Sequence, residues 1–573
     1  MGTRQNRIEK ALSGRARLAK VALLGAVVVL LAPFTVPTVE RIVGGLRYPY
    51  QMDSEEGLVL WYAWQLRHGH NVFRQLDSPP YVAATYGPVY PLACAATLWG
   101  KESDFFGGRL IAALSVGAIC VLMALIVWRQ TRQVLPVVLG LLLFLNSYDV
   151  YQWLPFYRVD FPALALGLAG LWLIAGQKAE GKRLKGLRAA SLCFVAMVYT
   201  RQVEVAPLLA ALIYLFLHKR DMGWRLLRNV GAAALAIAVV LTALTRGQFL
   251  LHNVYYNMNP FDTWQLKRLV NHAYTFNRFF IVASLVAMIW FVMERFRHHV
   301  ESERSETGTD NGGNNIAARE DQWGALDLFA LYAAISTLDV LGLGKIGAAT
   351  NYLIEPKAAW SLFIALVLGK TIRPSMTTGR VIGRQPVFMP VAFVLLLHGI
   401  EFLCSSTAIR VLPASLLGEQ DRVSPAGTQG ISFVRDYLRS RPQILYAPAC
   451  RNPGPADLVS NDRIVEMVRE ADEPVFCEHT IWPLMAGKAV YIQPFIMQEL
   501  AKEGKWDQTP VVEALRQKRF SLVITTEDIR KDVFFWHYSR EMIAAMREAY
   551  ALGDLFGGTT PGTLFTYYVF VPR

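Results

Sequence analysis

Long apolar runs, separated by short polar segments, fill the first 404 residues of this chain. A helix needs about 20 mainly apolar residues to cross the hydrocarbon core of a bilayer, which is about 30 Å thick. The pattern therefore predicts a mainly α-helical, polytopic bundle of about eleven transmembrane spans. The predicted spans are 20–38, 107–128, 133–148, 160–177, 188–200, 202–218, 229–245, 278–294, 324–343, 357–370 and 385–404.

A different pattern follows residue 404. Short runs rich in β-branched and aromatic residues alternate with helical patterns, as in a soluble α/β fold. The strand-like runs are 443–449, 488–495, 520–526 and 564–572, and the helical patterns are 428–439, 459–470 and 509–518. The sequence thus predicts two domains, a transmembrane domain at 1–404 and a soluble α/β domain at 405–573.

The composition and the placement of charge support a membrane protein. Hydrophobic residues make up 53% of the chain and charged residues only 18%, whereas soluble proteins carry about 25% charge. The net charge of +13 is typical of nucleic-acid binding too, but Lys and Arg cluster beside apolar runs, as in WRQTRQ at 128–133. Basic residues of short loops stay on the cytoplasmic side of a membrane. We therefore attribute the charge to topology and predict no nucleic-acid partner.

This rule also orients the chain. With the basic N-terminus in the cytoplasm and the spans alternating, the basic clusters fall inside. A long first outer loop at 39–106 and the domain at 405–573 then lie outside. In that oxidising environment, Cys450 and Cys477 could form a disulfide.

Charged and polar residues gather where the predicted spans open to the outer side. Ionisable residues at membrane depth are costly, and they mark functional sites by default. Basic residues at the outer face, where they are disfavoured, call for an anionic partner such as a phosphate. The residues concerned are Asp53, Glu55, Glu56, Arg158, Asp160, Arg201, Gln202, Glu204, Lys345, Asn351, Tyr352 and Glu355.

These residue types suit one mechanism, although simpler interpretations stay open. A carboxylate at the outer membrane face can act as general base on an acceptor hydroxyl, while Arg and Lys hold a lipid-linked phosphate. The sequence contains neither a P-loop nor a suitably placed GxGxxG motif. Conversely, Glu55 can be a solvated surface acid, and Arg158 and Asp160 can pair as a structural cap.

Four segments resemble a known family when they are taken in order. They are the DSEEG acids at 53–57, PPYVAATYGPVYP at 79–91, RVD at 158–160 and GAATNYLIEP at 347–356. Together they resemble the GT-C superfamily of polytopic glycosyltransferases, and in particular its bacterial branch related to dolichyl-phosphate-mannose protein mannosyltransferases and aminoarabinose transferases. The resemblance implies a polyprenyl-phosphate-linked sugar donor and an inverting transfer to a lipid, polysaccharide or protein of the cell envelope. It also implies a bacterial inner membrane, with the C-terminal domain in the periplasm.

The resemblance, together with the pattern of charged and aromatic residues, gives individual residues expected roles. Asp53 is the expected general base, and Glu56 and Asp160 are expected to orient the acceptor or tune that base. Arg158, Arg201 and Lys345 are expected to hold the donor phosphate. The expected substrate-binding residues are Tyr86, Tyr90, Gln202, Asn351, Tyr352 and Glu355.

A metal cofactor is left open by the sequence. Asp53, Glu56 and Asp160 could hold a divalent ion if the fold brings their carboxylates together. Some members of the family manage without a metal, so the resemblance does not decide the question.

Three other functions remain as alternatives. A ligase would move a whole oligosaccharide from a diphosphate carrier. A transporter or flippase for lipid-linked saccharides would carry its charges in mid-span, on broken helices of related halves. A non-catalytic envelope scaffold would depend on none of the charged residues for chemistry.

Overall fold

The computed structural model describes residues 18–99, 103–176, 180–306, 313–372, 388–404, 453–531, 537–560 and 563–573. Helices dominate the part before residue 405, and every predicted span overlaps one of them. These helices are α1 Leu18–Arg47, α2 Ser54–Arg67, α3 Val89–Ala95, α4 Phe106–Thr131, α5 Val134–Leu145, α6 Tyr148–Trp153, α7 Asp160–Ala175, α8 Glu180–Thr200, α9 Ala206–His218, α10 Arg220–Leu244, α11 Thr263–Glu306, α12 Gly313–Ser336, α13 Ile354–Ile372 and α14 Phe388–Cys404.

The helices have the length and composition of a multi-pass membrane protein. In the described part, six helical segments are long and apolar enough to cross a membrane, and α5, α7, α9 and much of α14 are shorter apolar helices. Apolar residues on the outside of α10, such as Leu235, Val239 and Leu244, are exposed, as expected where a helix faces lipid. The predicted fold class, a polytopic helical bundle, is confirmed.

Helix α13 forms the centre of the bundle. Nearly all of its side chains are buried, and it packs against α5, α12 and α4. Close approach is possible because small residues lie at the contacts: a Cβ on Gly140 of α5 would come within 3.0 Å of Ala365. Short 3₁₀ segments at Thr337–Gly344 and Thr350–Leu353 lead into α13 from its outer end.

The C-terminal part forms a small mixed sheet flanked by helices. The strand order is β1-β2-β4-β3, with β1 and β2 parallel and the other pairs antiparallel. In the register of the sheet, Val523 lies opposite both Phe476 and Phe570. The elements are α15 Pro455–Glu470, β1 Phe476–Cys477, α16 Ile481–Met485, α17 Pro494–Lys502, α18 Thr509–Arg516, β2 Val523–Thr525, α19 Arg540–Ala549, β3 Tyr550–Thr560 and β4 Thr563–Pro572.

The expected strands were partly right. The runs at 520–526 and 564–572 correspond to β2 and β4, but the run at 488–495 does not form a strand. Pro494 begins helix α17 there, because its fixed φ and missing N–H suit the first turn of a helix. The expected elements at 428–439 and 443–449 lie outside the described residues, as does Cys450. The domain boundary after residue 404 and the disulfide to Cys477 therefore stay predictions.

The C-terminal domain docks on the first outer loop. Tyr81 of that loop forms a parallel bridge with Ile492, in which the Tyr81 N–H donates to the Tyr491 carbonyl at 2.8 Å. The Trp506 indole donates to the Leu76 carbonyl at 2.9 Å. These contacts bring the sheet domain over the ends of the helices at which the 39–106 loop lies.

Candidate active site

A cavity of about 270 Å³ lies between the helical bundle and the C-terminal domain. Its walls come from several parts of the chain that are far apart in sequence. They are the start of α2, the segment with Thr85 and Tyr86, the end of α6 with the turn before α7, the turn between α8 and α9, the loop with Asn257 and Asn259, the segment after Thr337–Gly344, and loops of the C-terminal domain. Of the residues singled out in the sequence, those lining the cavity are Asp53, Glu55, Tyr86, Arg158, Arg201, Gln202, Lys345, Asn351 and Tyr352.

Asp53 stands at the N-terminus of helix α2. Its Oδ2 accepts the backbone N–H of Glu55 at 3.2 Å, so it caps the helix, as Asp commonly does. The same oxygen accepts a hydrogen bond from Arg158 Nη1 at 2.6 Å. The carboxylate is therefore held by the helix on one side and by a guanidinium on the other.

Arg158 connects the first outer loop to helix α7. Its Nε donates to Asp160 Oδ2 at 3.2 Å, and its Nη2 donates to the Tyr86 hydroxyl at 3.3 Å. The guanidinium also lies 4.9 Å from the centre of the Trp153 ring, within cation–π range. The planar fork of an arginine allows these contacts at once.

Asp160 continues the ionic chain. It is the first residue of α7, where the positive end of the helix dipole favours a carboxylate. Its Oδ1 accepts the Asn351 amide at 2.7 Å and lies 3.4 Å from Arg201 Nη2. Arg201 Nη1 in turn donates to Glu204 Oε2 at 2.6 Å. Four residues on three separate segments thus form a continuous line of alternating charge from Asp53 to Arg201.

Aromatic and amide groups complete the bundle side of the cavity. The Arg201 guanidinium lies 4.7 Å from the centre of the Tyr352 ring. The Gln202 amide donates to the Thr85 carbonyl at 2.7 Å. Both contacts fix the turn between α8 and α9 against the segments on either side of it.

Lys345 differs from Arg158 and Arg201, which lie beside carboxylates. Its Nζ donates to Asn257 Oδ1 at 2.7 Å, and the described part of the chain shows no carboxylate within salt-bridge distance of it. Burial and then the nearby Arg201 charge lower the pKa of Lys345 to about 8. Its charge is thus poorly balanced, and an anion in the cavity would balance it.

The carboxyl groups of Asp53 and Glu55, at the start of α2, have raised pKa values, whereas the pKa of Lys345 is lowered. Burial raises the pKa of Asp53 above its ordinary value, although Arg158 opposes the shift. Burial likewise raises the pKa of Glu55 to about 7. A carboxylate with a raised pKa is a stronger base, which is the property that proton abstraction needs.

Glu56 requires a correction. Its carboxylate is fully buried and forms two hydrogen bonds with Arg109, at 2.7 and 2.8 Å. It also accepts the backbone N–H groups of Met52 and Tyr157, at 2.5 and 2.6 Å. Glu56 does not line the cavity, and its acceptor sites are used to hold the loop before α2 and the turn before α7 together. Its position is therefore structural and does not suit the expected contact with an acceptor. Its charge contributes to raising the pKa of Asp53, so its expected role in tuning that base stays a prediction.

Three further sequence-predicted residues are not part of the cavity lining. Asp160 is buried next to it, between Arg158 and Arg201. Tyr90 is buried and donates its hydroxyl to the Gly108 carbonyl at 2.9 Å, and Glu355 is buried on α13. Both side chains point into protein because their helices bury the faces on which they lie.

The C-terminal domain contributes residues that sequence reasoning missed. Glu478, His479, Thr480, Phe495 and His537 line the upper side of the cavity. These residues follow β1, begin α17 or follow a segment outside the described residues, and they lie more than 400 positions from Asp53 in the chain. No local pattern in the sequence signals that they meet the first outer loop.

The positions of the carboxylates also test whether this site could bind a divalent metal. In the described part of the chain, no group of three or more His, Cys, Asp or Glu side chains is arranged to hold an ion. The three expected ligands are separated by cations: Arg158 lies between Asp53 and Asp160, and Arg109 engages Glu56. The residues present therefore do not fit a divalent metal at these three carboxylates, which the sequence had left as a possibility.

Comparisons with known proteins were made at the level of sequence and of structure. No protein-family model and no curated protein matches the sequence. Among solved structures, ArnT from Cupriavidus metallidurans bound to undecaprenyl phosphate matches 95% of this chain and 98% of its own, at 11% identity and a TM-score of 0.49. ArnT in the apo state covers 96% and 98%, at 14% identity and a TM-score of 0.49.

An oligosaccharyltransferase from Archaeoglobus fulgidus is a further structural match. It covers 95% of this chain and 74% of its own length, at 12% identity and a TM-score of 0.47. At these values the likeness assigns no residue role.

Proposed function

We propose that this protein is an integral-membrane glycosyltransferase that moves a sugar from a polyprenyl-phosphate-linked donor to an envelope acceptor. The observation that carries the proposal is the cavity itself. A helix-capping carboxylate, two arginines and a poorly balanced lysine line one space at the outer ends of apolar helices. A base and a set of phosphate ligands are the two components that such a transfer requires.

Asp53 is the proposed general base. It would accept the proton of an acceptor hydroxyl as the oxygen attacks the anomeric carbon. Arg158 holds the Asp53 carboxylate in one orientation. Burial raises the pKa of Asp53. Attack from the side opposite the phosphate would invert the configuration at the anomeric carbon.

Arg201 and Lys345 are the proposed ligands of the donor phosphate. Arg201 Nη2 is buried without a hydrogen-bond partner among the described residues, while Lys345 binds only a neutral amide of those described. Both cations would stabilise the charge that develops on the leaving phosphate. Arg158 and Asp160 would then organise the base rather than bind the donor directly.

The lipid part of the donor accounts for the membrane location. A polyprenyl chain would lie between apolar helices while its phosphate reaches the cavity at their outer ends. We propose the bacterial inner membrane, with the N-terminus in the cytoplasm and the C-terminal domain in the periplasm. The positive-inside distribution of Lys and Arg supports this orientation.

Turnover of lipid-linked donors tests the proposal. The purified protein would be placed in nanodiscs with a panel of radiolabelled polyprenyl-phosphate sugars, and with water and delipidated envelope extract as acceptors. Consumption of one donor, with an inverted anomeric product, is the expected result. If instead a donor crosses the bilayer of proteoliposomes intact, the protein is a transporter. If no donor binds, the result favours the scaffold function over the transferase.

A further inference from the structure

The C-terminal domain supplies the side of the cavity that faces the bundle charges. His479 and Thr480 follow strand β1, Phe495 lies in the first turn of α17, and His537 precedes α19. Opposite them stand Asp53 and Glu55 at the start of α2. An acceptor that delivers a hydroxyl to Asp53 would therefore contact this face of the C-terminal domain.

Two residues on this face each bury a polar atom for which the described part of the chain offers no hydrogen-bond partner. His479 is 4% exposed and Thr480 is 2% exposed. In the described part of the chain, neither His479 Nδ1 nor Thr480 Oγ1 has a hydrogen-bond partner. Leaving buried polar groups unpaired costs free energy. A ligand that offers hydrogen bonds to both atoms would remove this cost.

The cationic group of this face is already compensated by carboxylates. His537 Nδ1 lies 3.4 Å from Glu478 and 3.7 Å from Glu527. Although burial lowers the pKa of His537, these carboxylates raise it to about 9. The face therefore holds one imidazolium between two carboxylates, with Glu55 nearby. Because the two carboxylates compensate the charge of His537, this face offers no free positive charge to an anionic ligand.

His479 is uncharged in this setting. Burial lowers its pKa to about 4, despite the adjacent Glu478. A neutral imidazole and a threonine hydroxyl each donate and accept hydrogen bonds, which suits the hydroxyl groups of a ligand. The half-buried Phe495, whose ring centre lies 5.8 Å from that of His537, adds an apolar surface of the kind that packs against a sugar ring.

We infer that His479, Thr480 and His537 form an acceptor subsite for an uncharged, hydroxyl-bearing ligand such as a sugar ring. The inference rests on the proposed transferase function, since it names the acceptor of that reaction. The bundle side would hold the phosphate of the donor, and the C-terminal domain would hold the acceptor hydroxyls. Selection of the acceptor would then reside in a domain that contains none of the proposed donor ligands.

Separate binding measurements on the full-length protein in nanodiscs test this division. Saturation-transfer NMR would measure the affinities of methyl glycosides of glucose, galactose and mannose, with glucose 6-phosphate as the anionic comparison. Undecaprenyl phosphate binding would be measured in parallel. Thr480→Val and His537→Gln are the test variants, and Thr509→Val and His68→Gln at exposed positions are the matched controls.

We expect at least one methyl glycoside to bind and to bind more tightly than glucose 6-phosphate. Each test variant should weaken it about five- to tenfold, the effect of about one hydrogen bond, while undecaprenyl phosphate affinity stays unchanged. The controls should match wild type. Thr480→Val removes a hydroxyl that has no described partner, so its fold should persist, which its melting temperature would confirm.

The possible results separate the two proposals. Binding of undecaprenyl phosphate without any glycoside binding, or glycoside binding that ignores both test variants, overturns the subsite and leaves the transferase proposal standing. Preference for the anionic sugar also overturns it. Glycoside binding that depends on Thr480 and His537, with no undecaprenyl phosphate binding, supports the subsite and contradicts the proposed donor.

Discussion

Arg158 Nη1 lies 2.6 Å from Asp53 Oδ2 and joins the first outer loop to the turn before helix α7. The pair is only partly screened from the cavity, with 10% and 18% of the two side chains exposed. Asp53 can therefore be reached by a substrate while Arg158 fixes its orientation. This combination of access and constraint is what the proposed base requires.

Removing the guanidinium should change the pH dependence of the reaction. Arg158 lowers the pKa of Asp53, against the larger effect of burial. In Arg158→Gln that restraint is lost, so the carboxylate should stay protonated to a higher pH. We expect the acidic limb of the pH profile of kcat/KM to move to higher pH. Tyr86→Phe, which removes a weaker contact of the same arginine, should leave the limb near its wild-type position.

Lys345 should govern the alkaline limb. Its pKa is lowered to about 8, so the ammonium is charged below that pH and loses its proton as the pH rises through it. We expect kcat/KM for the donor to fall above about pH 8. Lys345→Arg keeps its charge throughout this range, so its profile should be flat there even if its rate is lower. An alkaline limb that persists in Lys345→Arg would assign it to another group.

The neighbouring acids Glu55 and Glu56 should behave differently when each is replaced by Gln. Glu56→Gln leaves the buried Arg109 without its carboxylate, and breaking a buried pair costs about 3–5 kcal/mol. Its melting temperature in detergent should fall sharply. Glu55→Gln at the cavity should keep the wild-type melting temperature and alter kinetics instead. Equal melting temperatures for both variants would contradict the structural position given to Glu56.

A tyrosine pair offers a similar contrast. Tyr90→Phe removes a buried hydrogen bond to the Gly108 carbonyl, which is worth about 1 kcal/mol of stability, and should not affect KM. Tyr86→Phe removes a hydroxyl at the cavity and should raise the KM of a substrate with little change in stability. Differential scanning fluorimetry and steady-state kinetics would measure both effects. A raised KM in Tyr90→Phe would contradict its position away from the cavity.

The sequence predicted the helical bundle well because one physical requirement, crossing the bilayer, determines most of the hydropathy pattern. Crossing a bilayer demands a long apolar helix, so each run in the hydropathy pattern corresponds to a helix, as with α4 and α10. The same rule made Asp53, Arg158, Arg201 and Lys345 conspicuous, since charges are rare beside such runs. All four line the cavity.

Spacing alone could not distinguish Glu55 from Glu56. The two are adjacent in the first turn of α2, where a rotation of about 100° separates the directions of successive side chains. The Glu55 side chain therefore reaches the cavity, whereas the Glu56 side chain reaches Arg109. The partner lies 53 positions away in sequence, and its position depends on the ring of Tyr157 packing on Gly108, where a Cβ would come within 2.1 Å.

The C-terminal face was also beyond sequence reasoning. Its contribution depends on how the domain docks, through contacts such as the Tyr81–Ile492 bridge. A bridge between residues more than 400 positions apart leaves no periodic signal in either segment. In the sequence, His479 and Thr480 look like ordinary loop residues. Only the docking of the C-terminal domain brings them to the cavity that Asp53 also lines.

Asp53→Asn is the most direct test of the central claim, which is that Asp53 is the general base of a lipid-donor transferase. Asn caps helices about as well as Asp, so α2 should remain intact, as the melting temperature would confirm. With both proteins in nanodiscs, donor affinity and sugar transfer would be measured separately. We predict unchanged donor affinity and a fall in kcat of about 10²- to 10⁴-fold. Transfer at the wild-type rate by Asp53→Asn would contradict the claim.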